Sequence, residues 1–128
     1  MAKILIAEDE PDIRALIEFT LQYAGHEVVT ARNGLEAFES ALQVIPDMIL
    51  MDVRMPQMTG YEACEKIKQE ESLKHIPVVF LTAKGQEKEI QTGLSLGAAE
   101  YLLKPFAPDD LTRRVQEILD QDRNLNKS

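Results

Sequence analysis

Four short runs of nearly continuous apolar residues punctuate the chain: Ile4 to Ala7, Met48 to Met51, Val78 to Leu81 and Tyr101 to Leu103. Continuous rather than alternating hydrophobicity is the signature of strands covered on both faces. A weaker run, Val28-Val29-Thr30, follows Gly25 and predicts a fifth strand nearer the sheet edge. Between the runs the period changes to that of a helix. Ile13, Leu16, Ile17, Thr20, Leu21 and Ala24 share one face, with Pro11 in the first turn, where its missing N–H costs nothing. Asn33 is placed to cap a second helix with Phe38, Ala41, Leu42 and Ile45 as its inward stripe. Thr59-Gly60-Tyr61-Glu62 is a capping box opening a third, which turns Tyr61, Cys64 and Ile67 inward. The run KQEESLK reads as its solvated end.

The fourth helical stretch, around Glu87 to Leu96, has only Ile90 and Leu94 for a face and Gly93 in its middle, so it is expected to be the least stable. The last helix starts near Pro108 and buries Leu111, Val115, Ile118 and Leu119, with Ala107 where a capping side chain would be expected. Strand and helix therefore alternate with short connections. That pattern predicts an α/β fold: a parallel sheet, helices on both faces and right-handed crossovers.

Composition narrows the function classes. The 128 residues suit one domain, able to bury about two thirds of its unfolded surface. A formal charge of −8 argues against a sequence-independent grip on nucleic acid, which needs clustered Lys and Arg. It is compatible with a cation site and with protein partners. The single cysteine, Cys64, excludes an internal disulfide and is expected to fill a helix–sheet interface. The apolar run at the N-terminus is too short for a signal peptide or a membrane span, so a cytoplasmic location is the default expectation. Residues 1–121 are expected to form the domain and residues 122–128 a frayed polar tail.

The strong runs end in polar residues: Glu8-Asp9, Asp52, Thr82 and Lys104. In an open α/β sheet, ligands sit outside the carboxyl ends of the strands, so these residues should converge. Taken singly, an Asp after a strand caps or turns, a Thr caps the next helix, and a Lys reaches for water. Taken together, three crowded carboxylates call for a cation, and hard oxygen ligands suit Mg²⁺, with Mn²⁺ as a substitute. A carboxylate nucleophile, a metal, an ammonium and a hydroxyl donor are the parts for phosphoryl transfer to a carboxylate.

At this point the sequence resembles the receiver (response-regulator) domains of two-component signalling, including the chemotaxis receivers. The resemblance runs from about Lys3 to Leu119 and is carried by AEDEP, DMILMDVRMPQMTGYE, VVFLTAKG and GAAEYLLKPF, in that order. It implies a flavodoxin-like (βα)5 sandwich with a five-stranded parallel sheet in the order 2-1-3-4-5. It implies Asp52 as phosphoacceptor, and Glu8, Asp9, Asp52 and the Arg54 backbone carbonyl as metal ligands. Thr82 and Tyr101 become switch residues acting on the surface of the fourth helix, fifth strand and last helix. Lys104 becomes the partner of the phosphoryl group, joined to Pro105 by a cis peptide. Glu8 stands where many family members have Asp, and Arg54 and Lys84 occupy positions that tune dephosphorylation.

The implied partners are a sensor histidine kinase or histidine phosphotransfer protein and a downstream protein target or output domain, with a phosphorylation-dependent dimer as a further form. The kinase is expected to dock on Ile13, Arg14 and Ile17 beside Pro105 and Phe106. The implied chemistry is limited to the chain's own phosphotransfer and dephosphorylation. Two other readings are a receiver-like binding module that is not phosphorylated and an aspartate-dependent phosphatase of the haloacid-dehalogenase type. The latter needs a second Asp two residues after the nucleophile, where this chain has Arg54. His26 and His75 show no metal-ligand spacing, and Met48, Met51, Met55 and Met58 are explained by packing.

Overall fold

The computed structural model describes residues 2–83, 95, 97, 100–104 and 107–126. Five strands, β1 (Lys3–Ala7), β2 (Glu27–Ala31), β3 (Met48–Asp52), β4 (Val78–Ala83) and β5 (Glu100–Lys104), form one parallel sheet in the order β2-β1-β3-β4-β5. Among the described residues there are four helices: α1 (Pro11–Tyr23), α2 (Gly34–Val44), α3 (Gly60–Gln69) and α4 (Pro108–Asn126). The weak helix expected around Glu87 to Leu96 falls almost wholly outside the described residues.

Each strand divides its side chains between two cores, because successive residues point to opposite faces. Leu5, Ala7, Ile49, Met51, Val78 and Phe80 meet Ala37 and Ala41 of α2 and Ala63, Cys64 and Ile67 of α3. Ile4, Ile6, Met48, Leu50, Val79, Leu81 and Leu102 meet Ile17 and Leu21 of α1 and Leu111, Val115, Ile118 and Leu119 of α4. Burial on both faces explains the unbroken apolar runs.

Local signals set the helix ends. Pro11 opens α1, the Asn33 side chain accepts from the Glu36 N–H at 2.8 Å, and Thr59 and Glu62 form both halves of the capping box. The inward faces are narrower than the periodicity predicts. Leu16 (46% exposed) and Ala24 lie outside the buried stripe of α1, and Leu42 (40%) and Ile45 (44%) lie outside that of α2. The contact face of α2 is built from Gly34, Ala37 and Ala41, since small residues let this helix lie close to the sheet.

The end of α3 also departs from expectation. Leu73 and Ile76 are buried, and the Lys68 ammonium donates to the carbonyls of Lys74 (3.1 Å) and Ile76 (2.8 Å). Burial lowers the Lys68 pKa, with Cys64 and Asp122 opposing. The helix α4 continues through Asn126, past the 121/122 division, because no proline or glycine follows Pro108 to stop it.

Ile45 ends α2 with φ +45° and ψ +71°, a left-handed conformation that costs an L-residue about 1–2 kcal/mol and suits a β-branched one least. Ile45→Asn is therefore expected to raise stability by about 1 kcal/mol, read as a higher urea midpoint. An unchanged midpoint would show that the exposed isoleucine recovers the cost by packing.

Candidate functional site

The sheet order reverses direction at β1: the chain passes from β1 to β2 on one side and then returns to β3 on the other. Helices leave the two strands on opposite faces there, opening a crevice at their carboxyl ends. Glu8 and Asp9 follow β1 directly, and Asp52 is the last residue of β3. One carboxylate oxygen from each of Glu8, Asp9 and Asp52 lies within 4.8 Å of the others.

Burial differs across the three. Glu8 is fully buried and Asp52 is 7% exposed, whereas Asp9 faces solvent. Backbone amides hold the two inner groups: Glu10 N–H donates to Glu8 Oε2 and Arg54 N–H to Asp52 Oδ1, both at 3.2 Å. Arg14, from the first turns of α1, donates through Nη1 to the Glu8 carbonyl at 2.9 Å and ties that helix to the acidic loop. Two buried carboxylates beside an exposed third form a hard oxygen donor set with one open side, which fits a small hydrated dication such as Mg²⁺.

β4 brings the hydroxyl. Asp52 is in register with Leu81, and Thr82, the next residue, is 3% exposed. β5 is in register with β4, with Lys104 opposite Ala83 and Tyr101 opposite Phe80. The fold thus places the strand ends carrying Thr82 and Lys104 successively beside the acidic crevice. Tyr101 is 38% exposed. The Lys104 side chain, Lys84, and Pro105 with its peptide bond and Phe106 lie outside the described residues.

The loop after Asp52 owes its shape to residues that sequence reading passed over. The Gly60 N–H donates to the Val53 carbonyl at 2.9 Å, and a Cβ on Gly60 would meet the Asp52 carbonyl oxygen at 2.2 Å. From α2, the Gly34 N–H donates to the Met58 carbonyl at 3.1 Å, and a Cβ there would meet that oxygen at 2.1 Å. Between these contacts Gln57 has φ +67°, and Met58 N–H bonds back to the Pro56 carbonyl at 2.7 Å, a tight three-residue turn. The glycines beside two helix starts were the available signal; their role depends on which backbone each one meets.

Cys64 takes no part in the site. Its thiol is pushed up to about 11, chiefly by burial, with Lys68 opposing and Glu65 adding to the rise. The native thiol is expected to resist iodoacetamide at neutral pH and to react in denaturant, as read by intact mass; rapid native labelling would contradict this burial. Because the folded state holds the proton more tightly, this contribution to stability is present below pH 9 and lost as the pH rises through about 11.

A five-stranded doubly wound sheet with an acidic crevice at its switch point defines a class, and comparison with known proteins gives the family. Residues 4–116 match the response regulator receiver domain, and the chain belongs to that family. It resembles a chemotaxis response regulator of Vibrio cholerae, with 38% identity and a TM-score of 0.87 over 92% of this chain and 98% of that one. A response regulator receiver domain protein from Clostridium thermocellum gives 30% identity and a TM-score of 0.89 over 98% and 99%. The alkaline phosphatase synthesis transcriptional regulatory protein of Bacillus subtilis is 39% identical over 117 residues, covering 91% of this chain and 48% of the relative. The chain spans about half the length of the curated relatives it matches. Among the described residues, no helix is long and apolar enough to cross a membrane.

Proposed function

We propose that this chain is a phosphorylation-activated signalling receiver in which residues 1–121 act as the functional unit and Asp52 is the phosphoacceptor. The observation that carries this reading is the meeting of Asp52 with Glu8 and Asp9 within 4.8 Å at the sheet's switch point. Glu8, Asp9, Asp52 and the Arg54 carbonyl would hold Mg²⁺. When bound, the ion neutralises the crowded carboxylates and stabilises charge developing on the phosphoryl oxygens.

The chain's own groups then have distinct tasks. An Asp52 carboxylate oxygen attacks the phosphorus of a phosphohistidine or a small acyl phosphate. The new O–P bond forms as the bond to the donor breaks, and the electron pair leaves with the imidazole or carboxylate. The Arg54 N–H at 3.2 Å helps to orient the attacking carboxylate. Lys104 would pair with the phosphoryl oxygens and Thr82 would donate its hydroxyl to one of them. Space vacated by Thr82 would admit Tyr101, passing the event to the surface around β5 and α4. A switch from 1:99 to 99:1 needs about 5.5 kcal/mol of preference, and a few charge-assisted hydrogen bonds are of that order.

A histidine kinase or phosphotransfer protein as donor, a downstream protein or output domain as target, and a cytoplasmic setting follow from the same reading. So does the limit of its chemistry to taking up and losing its own phosphoryl group. Incubation with acetyl phosphate and Mg²⁺, followed by intact mass, tests it. One added phosphoryl group, lost with EDTA and in Asp52→Asn, is expected. No gain from acetyl phosphate or from any kinase would replace this reading with that of a binding module.

A further inference from the structure

Arg14, half-buried in the first turns of α1, grips the acidic loop on both sides of Asp9. Its guanidinium Nη1 donates to the Glu8 carbonyl and its backbone N–H to the Glu10 carbonyl, each at 2.9 Å. Glu8 is anchored from its other side as well. Its N–H donates to the Ala31 carbonyl at the end of β2 (3.1 Å), and its Oε2 accepts from the Glu10 N–H (3.2 Å). Asp9 is exposed, so packing does not fix it, and its place is set by the backbone on either side.

Two features of α1 make this grip matter. Its N-cap, Glu10, makes no side-chain cap bond, whereas the Asn33 and Thr59 side chains cap α2 and α3. The junction between the acidic loop and α1 therefore lacks the lock that the other two helix starts possess. The guanidinium also reaches back past the N-terminal end of a helix, where the macrodipole disfavours a cation. Its seat there depends on the bond to the Glu8 carbonyl.

We propose that Arg14 is the positioning residue of the cation site: by holding the Glu8 carbonyl it aims Glu8 and Asp9 at a common point and sets the affinity for Mg²⁺. The proposal rests on the reading that Glu8, Asp9 and Asp52 hold that ion. Groups that orient metal ligands without touching the metal commonly change affinity by about ten- to a hundredfold. Charge and position act in opposite directions here. A guanidinium near carboxylates repels a dication, so removing its charge alone would tighten Mg²⁺ binding. Loss of the grip loosens it.

Calorimetric titration of the unphosphorylated chain with MgCl₂ tests this without a kinase, so a docking role of Arg14 leaves the result unmoved. Arg14→Met keeps the aliphatic stem and is expected to weaken Mg²⁺ binding about tenfold, with thermal melting in EDTA checking the fold. Arg14→Gln, two bonds shorter, supplies the same measurement should the methionine variant be unstable. Arg14→Lys keeps a charge and a donor and should recover most of the affinity. In phosphoryl uptake from acetyl phosphate, the neutral variants should need about tenfold more Mg²⁺ for half the maximal rate and regain the wild-type rate at saturation. Unchanged or tighter Mg²⁺ binding by the neutral variants would overturn the proposal, and so would a lysine variant as weak as they are. A wild-type chain that binds no Mg²⁺ and takes up no phosphoryl group would overturn the function on which the proposal stands, and the proposal with it.

Discussion

Gly60→Ala is expected to lower stability by about 3 kcal/mol and to slow phosphoryl uptake from acetyl phosphate by roughly a hundredfold. The cause is steric. The added methyl would lie 2.2 Å from the Asp52 carbonyl oxygen and 3.1 Å from the Val53 Cα. Both are backbone atoms and cannot rotate away. Either α3 withdraws, breaking the Gly60 N–H bond to Val53, or the end of β3 moves and carries the Asp52 carboxylate out of line. A displacement near 1 Å suffices for the rate effect. Urea unfolding and the time course of intact mass separate the two consequences. A variant that melts with the wild type and is phosphorylated at the same rate would show that the close approach is not maintained in solution.

Asp52→Asn should have opposite effects on stability and on chemistry. Glu8 and Asp52 are buried, and both lie within 4.8 Å of the Asp9 carboxylate. At an effective dielectric near 20, adjacent like charges at that range cost a few kcal/mol before local hydrogen bonds and the solvent around Asp9 reduce the figure. Asparagine removes the charge and keeps an oxygen able to accept from the Arg54 N–H. Without divalent ions the variant is expected to be about 1–2 kcal/mol more stable than the wild type. On the proposed function Asp52 is a ligand of Mg²⁺, so with the ion present the order should narrow or invert. Paired urea titrations with EDTA and with MgCl₂ measure the crossing. Equal stabilisation of both proteins by Mg²⁺ would remove Asp52 from the metal site, and a less stable asparagine variant in EDTA would show that the carboxylates do not repel. The Asp52 position is thus expected to trade stability for reactivity.

Much of the site was legible because its residues punctuate buried strands. A carboxylate or hydroxyl at the end of an unbroken apolar run stands out in sequence, and sheet topology carries all strand ends to one edge. Glu8, Asp9, Asp52 and Thr82 were singled out in that way, and the fold brings the three carboxylates within 4.8 Å of one another. The roles of Gly34 and Gly60 were not, since a glycine signals backbone freedom or close approach without naming the partner. Lys68 was read as part of a solvated run, because lysine is usually exposed; its carbonyl partners come from residues folded back beneath it. Leu16, Leu42 and Ile45 were placed inward by periodicity alone. The buried face of α2 is Gly34, Ala37 and Ala41 with Phe38 packed beside them, which leaves Leu42 and Ile45 outside, and Leu16 lies off the buried stripe of α1.

What the sequence determined by itself is the alternation of strands and helices, their caps, and the identity of the chemical groups at the strand ends. These follow from short-range physics: side-chain period, hydrogen-bond capping and the continuous hydrophobicity of doubly covered strands. What only the tertiary structure decided is distance and exposure. The approach of the three carboxylates to within 4.8 Å and the backbone contacts of Gly34 and Gly60 each join separate segments of the chain. Such relations arise from packing, in which a partner's volume and position matter as much as a residue's own type.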